Sequence, residues 1–301
     1  MYLGIDLGGT KIEAAVLDKQ GRGLFRERLS TPQGNYEATL DAINVLVTWA
    51  ESQFGHFDCL GIGTPGAIST KTGLMKNCNS TCLNNQPLWA DLQDRLKKVV
   101  LIANDADCFT LSEAMDGAAR GYNYVFGVIL GTGVGGGLVI KQQLIQGINR
   151  IAGEWGHNPM PVNVVDQFAP RPCYCGRVNC VETFLSGPGL GRTHAELNHI
   201  HHALPDAKLI ATQAMAGDDR ALRTIKLYSR QLAAALANVI NILDPDIIVL
   251  GGGISNINLV YTHIQRNLPE FVFSDQVLTK IVAPEYGDSS GVRGAAWLGR
   301  G

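Results

Sequence analysis

No stretch of this chain is long and apolar enough to suggest a membrane span, and its start, Met1-Tyr2-Leu3-Gly4-Ile5-Asp6, lacks the basic segment and apolar run of an export signal. The expected setting is the cytoplasm, with reduced thiols and no membrane partner. Charge of one sign is also lacking. Lys and Arg number 25 against 27 Asp and Glu, a formal net charge of −2, with no run of like charge. That balance does not suit nucleic acid or an anionic lipid surface as a partner. Low-complexity segments and long linkers are missing too. At 301 residues the chain can bury roughly three quarters of its unfolded surface, a size at which chains usually divide into two domains.

Cysteine is scarce, seven in all, yet three crowd into one eight-residue loop, Cys173-Tyr174-Cys175-Gly176-Arg177-Val178-Asn179-Cys180. Upstream stands Gly153-Glu154-Trp155-Gly156-His157. Three thiolates and one imidazole match the donor set of a tetrahedral zinc ion. Four protein ligands (His157, Cys173, Cys175 and Cys180) leave no open position, so the expected ion is structural and clamps a loop poor in apolar residues. The alternatives are that the cysteines are buried apolar fillers or disulfide partners and that His157 is a satisfied core histidine. Glu154 and Glu182, each beside a proposed ligand, would taken alone be surface charges. Cys59, Cys78, Cys82 and Cys108 read as small buried hydrophobes.

The pattern of strands is punctuated by glycine. Tyr2–Leu7, 12–17 and 24–29 read as a meander whose first bend is Gly8-Gly9-Thr10-Lys11, a turn where backbone amides can approach an anion and Thr10 and Lys11 add a hydroxyl and a positive charge. An amphipathic helix follows over Tyr36–Phe54, then a buried strand over 59–63 ending in Thr64-Pro65-Gly66. The next loop holds Asn77-Cys78-Asn79-Ser80-Thr81 and Asn84-Asn85-Gln86-Pro87, amides and hydroxyls that suit a polyhydroxylated ligand or simply turn chemistry. A strand over 99–103 runs into Asn104-Asp105 and a helix over 106–118. Ligands of α/β sheets gather at the carboxyl ends of strands, so Asp105 is a candidate base as well as a candidate helix cap.

The second half starts as the first did. Tyr124–Leu130 is an apolar strand, Gly131-Thr132-Gly133-Val134-Gly135-Gly136-Gly137 reads as a second glycine turn, and 138–140 begins the return strand. Two such units suggest a duplicated domain whose turns face each other across a cleft holding a nucleoside triphosphate. Helices are expected over 181–185, 192–201, Ala207–Met215 and Asp219–Leu243, a strand over 246–250, a third glycine turn at Gly251-Gly252-Gly253, and a last helix over Ser290–Leu298.

Taken together, Asp6-Leu7-Gly8-Gly9-Thr10-Lys11, Asn104-Asp105-Ala106, the glycine run at 131–137, Gly153-Glu154-Trp155-Gly156-His157, the cysteine loop through Glu182 and Leu250-Gly251-Gly252-Gly253 resemble the ROK family of bacterial repressors, open reading frames and sugar kinases, in family order over the full length. The resemblance implies an α/β, actin-like ATPase (ribonuclease H-like) fold of two lobes with a zinc-binding loop. The lobes would be 1–117, completed by a C-terminal helix within 288–301, and 118–287. It also implies a homodimer. Within the family, Asn79-Ser80-Thr81-x-Leu83-Asn84-x-Gln86-Pro87, Trp155-Gly156-His157-Asn158-Pro159 and Cys173-Tyr174-Cys175-Gly176 resemble the fructokinase/mannokinase branch. One departure is Asn179, where the family usually has glycine; asparagine is the next best residue for a left-handed backbone.

The implied reaction is phosphorylation of a hexose by ATP at the 6-hydroxyl, with fructose or mannose expected and N-acetylglucosamine, N-acetylmannosamine or glucose as alternatives. Asp105 matches the catalytic base. Gly66, Asn79, Asn104, Glu154, His157 and Glu182 match sugar contacts. Asp6 would hold Mg²⁺ through water, and Gly8, Gly9, Thr10, Lys11, Gly131, Thr132, Gly133, Gly252 and Gly253 would hold ATP. Such chemistry asks for positioning and charge neutralisation, which amide-lined turns and a single carboxylate supply. Two other classes compete. A sugar-sensing repressor of the family would carry a helix-turn-helix domain before the phosphate turn. A zinc hydrolase using Glu154 or Glu182 would need an open metal position and would leave three glycine turns unexplained.

Overall fold

A computed structural model describes residues 1–78, 80–201 and 204–300. The chain forms two compact units, one from residues 1–121, 137–152 and 286–301, the other from 122–136 and 153–285.

The first unit begins with β1 (Tyr2–Leu7), β2 (Lys11–Leu17) and β3 (Gly23–Ser30), an antiparallel meander. Helix α1 (Tyr36–Phe54) starts at Asn35, whose Oδ1 accepts the Ala38 N–H at 3.0 Å, and stops at Gly55 with φ of 79°. Then come β4 (Cys59–Thr64), the short pair β5 (Ala67–Ile68) and β6 (Met75–Lys76), α2 (Leu88–Leu96), β7 (Val99–Asn104) and α3 (Asp105–Met115). The sheet order is β3-β2-β1-β4-β7, with β1, β4 and β7 mutually parallel.

Alternation along β1 decides where its side chains go. Leu3, Ile5 and Leu7 join Ile12, Leu40, Ile43, Leu46, Leu60 and Ile62 in the core beneath α1 and α2. Gly4 and Asp6 point to the opposite face, against which the last helix packs. There Gly4 and its parallel partner Gly61 are needed because a Cβ would stand 2.2 Å from the Ala296 nitrogen or 1.8 Å from the Ala295 oxygen.

The second unit carries β8 (Tyr124–Leu130) and the start of β9 (Val134–Ile140), whose end lies in the first unit and pairs there with β10 (Gln143–Leu144). Helices α4 (Glu182–Leu185), α5 (Gly187–Leu197), α6 (Ala207–Met215) and α7 (Asp219–Leu243) follow, then β11 (Ile247–Gly251), α8 (Asn258–Asn267) and β12 (Lys280–Val282). Helix α9 (Ser290–Leu298) is the helix that packs on Gly4 and Gly61 in the first unit. The second sheet has the order β10-β9-β8-β11-β12, which repeats the first strand for strand. Helix α7 ends at Asp244 in a left-handed conformation before Pro245, and its buried Tyr228 donates to the Leu185 carbonyl at 2.8 Å. Among the described residues no helix is long and apolar enough to cross a membrane.

Three boundaries differ from expectation. Helix α3 begins at Asp105 and ends at Met115. Helix α5 begins at Gly187, five residues early, because Ser186 Oγ accepts the Gly189 N–H at 3.1 Å and Pro188 fits the first turn of a helix. Strand β9 absorbs Gly135, Gly136 and Gly137, which are extended strand residues and not part of a turn. A Cβ on Gly136 would meet the Trp155 ring at 2.8 Å, and one on Gly137 would meet Thr110 Oγ1 at 2.5 Å.

Candidate active site

The first glycine turn closes the β1–β2 hairpin. Gly8 donates its N–H to the Lys11 carbonyl at 3.0 Å, Thr31 Oγ1 donates to the Gly8 carbonyl at 2.7 Å, and the Thr31 N–H reaches the Thr10 carbonyl at 3.0 Å. Gly9 and Thr10 are left exposed. Behind them is a cluster that sequence reading missed. Glu13, 1 % exposed, receives Arg26 Nε at 2.5 Å and Arg28 Nε, with Lys11 Nζ at 3.7 Å. Its members lie on β2 and β3 at separations of 13 and 15 residues, so only the register of the meander brings them together.

Asp6 lies opposite Glu13 in the β1–β2 register, and a Cβ on Gly291 would come within 2.9 Å of its Oδ2. Burial, followed by the negative charges of Asp105 and Glu13, pushes the Asp6 carboxyl up to about 6, against a lowering by Lys11. Asp105 opens α3. The cap is Asn104, whose Oδ1 accepts the Asp107 N–H at 2.6 Å, whereas Asp105 Oδ1 accepts the N–H of its own neighbour Ala106 at 2.9 Å. That relieves Asp105 of the capping role. The side chain is open to solvent, yet the protein packed around it pushes the carboxyl above its ordinary range, offset by the Ala106 N–H and its own.

In the second unit the turn at 131–133 is closed by Gly131 N–H to the Gly133 carbonyl at 3.0 Å, and Gly187 N–H holds the Gly131 carbonyl at 2.7 Å. Glu182, first residue of α4, extends to the same turn: its Oε2 accepts the Val134 N–H at 2.9 Å. A Cβ on Gly133 would be 2.7 Å from that oxygen and would push the carboxylate aside. Trp155 is buried, with its Nε1 donating to the Gly135 carbonyl at 2.9 Å, and Gly156 packs where a Cβ would be 2.2 Å from the Val134 oxygen. These contacts fix the turn that presents Glu154, exposed, and His157, half-buried. At the third turn Gly252 has φ of 79° and no room for a Cβ, the Leu130 oxygen being 2.5 Å away. Gly66, φ of 85°, is likewise confined by the Lys76 oxygen at 2.4 Å. Asn79 lies outside the described residues.

His157, Cys173, Cys175 and Cys180 offer one ligand atom each, all within 4.8 Å of one another. Cys173 Sγ is 3.7 Å from His157 Nδ1, and Cys175 Sγ is 3.6 Å from Cys180 Sγ. A tetrahedral zinc with bonds near 2.3 Å separates its ligand atoms by about 3.7 Å, so the donor set fits that ion in number, chemistry and spacing. The knuckle is shaped by Gly176, φ of 86°, and by Asn179, φ of 57°, which adopts the left-handed conformation its position calls for. Asn179 adds a hydrogen bond glycine cannot make: its Oδ1 accepts the Arg171 N–H at 2.7 Å. Arg171, fully buried, donates to the Thr183 carbonyl at 2.9 Å and to Glu196 Oε2 at 2.8 Å, tying the knuckle to α4 and α5. Tyr174 turns its hydroxyl onto His157 Nε2 at 3.0 Å, with the rings edge to face. The protein around that hydroxyl, then Glu182, Cys173 and Glu154, pushes the phenol of this largely exposed side chain up to about 12.

Comparison with known proteins fits this framework. Residues 2–301 match the ROK family. The chain is 39 % identical over 302 residues to an N-acetyl-D-glucosamine kinase of Yersinia pseudotuberculosis, covering 99 % of this chain and 98 % of that one. Among solved structures it is similar to a ROK hexokinase from Thermus thermophilus, with a TM-score of 0.86, 27 % identity and coverage of 98 % and 96 %. It is also similar to a ROK glucokinase from Streptomyces griseus in complex with glucose and AMPPNP, with a TM-score of 0.76, 29 % identity and coverage of 99 % of each chain. The fold is the actin-like ATPase fold with mixed sheets. The expected kinship with the fructokinase/mannokinase branch, and fructose as substrate, is overturned by the full-length identity to N-acetyl-D-glucosamine kinases. The loop residues that suggested it form turns and knuckle, as at Asn84, whose Oδ1 and Nδ2 both bond the backbone of Cys78 at 2.9 and 3.1 Å, so they report loop architecture more than the sugar. By its sequence from residue 2 to 301, this chain belongs to the ROK family.

Proposed function

We propose that the protein is a sugar kinase that transfers the γ-phosphoryl group of MgATP to the 6-hydroxyl of N-acetyl-D-glucosamine. The observation that carries this reading is the 39 % identity across 99 % of the chain to an N-acetyl-D-glucosamine kinase. The bound AMPPNP of the Streptomyces griseus glucokinase supports a nucleoside triphosphate as donor.

Asp105 is the general base. An accessible carboxylate whose pKa is raised above its ordinary range is a better proton acceptor than an ordinary aspartate, and the Ala106 N–H fixes the orientation of one oxygen. Asp6 would hold the magnesium that arrives with the nucleotide. The amides and side chains of Gly8, Gly9, Thr10 and Lys11, of Gly131, Thr132 and Gly133, and of Gly252 and Gly253 hold ATP. Asn104, Glu154, His157 and Glu182, with Gly66 and Asn79, bind the sugar. Carboxylates accepting neighbouring hydroxyls discriminate strongly against an analogue that lacks one. His157, Cys173, Cys175 and Cys180 would hold a zinc ion, which would anchor the turn bearing His157 and α4 with Glu182. The protein works as a cytoplasmic homodimer.

Glucose is the second reading, favoured by the likeness to the hexokinase and glucokinase structures. ADP release from MgATP over a panel of N-acetylglucosamine, N-acetylmannosamine, glucose, mannose and fructose separates the two. N-acetylglucosamine should give the highest kcat/KM. A preference for glucose would replace the substrate and keep the mechanism, and silence over the whole panel from zinc-loaded protein would overturn the kinase reading.

A further inference from the structure

We propose that Tyr174 occupies, in the sugar-free protein, the hydrogen-bonding position on His157 Nε2 that a sugar hydroxyl takes on binding, so that the tyrosine must leave before the sugar can engage. This rests on the reading that His157 is a sugar contact.

The argument is one of valence. Nδ1 of His157 points into the cysteine cluster, 3.7 Å from Cys173 Sγ, and a metal on Nδ1 fixes the ring proton on Nε2. That nitrogen then has a single N–H. It is donated to the Tyr174 oxygen at 3.0 Å. One imidazole N–H serves one acceptor well, so a sugar hydroxyl and Tyr174 exclude each other there. The tyrosine is built to move. It is 80 % exposed, and its ring touches the imidazole edge to face with centroids 5.2 Å apart instead of being packed in a core. Tyr174 thus imitates a substrate hydroxyl in accepting from His157 Nε2. While no sugar is bound it also gives the metal-ligating histidine the outer partner such residues ordinarily have.

Tyr174→Phe keeps the ring and removes the oxygen. In zinc-loaded protein it should bind N-acetylglucosamine roughly 2- to 10-fold more tightly by calorimetry, because the sugar no longer displaces a hydrogen bond, with KM lowered to match and kcat unchanged. Without sugar it should lose zinc to a chromogenic chelator about 10-fold faster than the wild type. Tyr174→Ala should shift both readouts in the same directions. Sugar binding that is equal or weaker in Tyr174→Phe overturns the proposal, and so does equal zinc release, which needs no sugar. Failure of the wild type to phosphorylate N-acetylglucosamine, with faster zinc release in the variant, would sink the proposed substrate and leave the Tyr174–His157 contact standing.

Discussion

Glu182 Oε2 accepts the Val134 N–H at 2.9 Å, which couples the helix that follows the cysteine knuckle to the glycine turn at 131–133. One carboxylate therefore serves both a turn assigned to the nucleotide and a set of residues assigned to the sugar. Glu182→Ala should leave the buried Val134 N–H unpaired at a cost of about 1–3 kcal/mol, readable by urea denaturation. It should also raise KM for ATP as well as for the sugar. A variant in which only the sugar KM changes would mean that the hydrogen bond does not shape the turn.

Asp6 gives a pH dependence whose sign follows from its raised pKa. The group sits near 3.8 when unfolded and at about 6 when folded, so the folded state binds the proton more tightly. Its favourable contribution is complete below pH 3.8 and is lost as pH rises through about 6. Asp6→Asn should therefore exceed the wild type in stability above pH 7, by at most about 3 kcal/mol, with the gap closing toward pH 4. Its activity should nevertheless be lost, because this carboxylate is the one proposed to hold the magnesium. In the wild type kcat/KM should climb through pH 6, and urea unfolding of nucleotide-free protein from pH 4 to 8 checks the stability arm.

Elemental analysis should find one zinc per chain. Cys175→Ser should lose it, together with thermal stability, because the knuckle has backbone hydrogen bonds but little apolar packing of its own. Fully active, metal-free protein would remove zinc from the account.

Close backbone approach between α9 and the first sheet should be intolerant of a single methyl group. Gly61→Ala would place a Cβ 1.8 Å from the Ala295 oxygen and should cost well over 3 kcal/mol or abolish soluble expression, whereas Gly23→Ala, with nothing within 4 Å, should be nearly neutral. Equal stability of the two variants in denaturant would contradict the packing described for α9.

How much of this was legible in the sequence depended on whether the signal was local. The meander, the first and third glycine turns, the long α7 and the ligand cluster could be read because strand period, helix period and cysteine crowding each act within a dozen residues. Glu13 with Arg26 and Arg28 could not, since their meeting requires the register of β2 against β3. The start of α5 was hidden because Gly187, Pro188 and Gly189 suppress helical patterning, although Ser186 before a proline is a usable start signal. Gly136 and Gly137 read as turn residues because sequence does not distinguish a glycine that bends the chain from one that admits a neighbour. The same limit explains the misassigned sugar. Asn84 and its neighbours suit a polyhydroxylated ligand and turn chemistry equally in the sequence, and the fold spends Asn84 on the backbone of Cys78.

The most direct test pairs turnover with binding in the wild type and Asp105→Asn. With MgATP and N-acetylglucosamine, the variant should release ADP about 10²- to 10⁴-fold more slowly while binding the sugar with nearly unchanged affinity. Near wild-type turnover in Asp105→Asn, or no sugar-dependent ADP release by the wild type, would contradict the account.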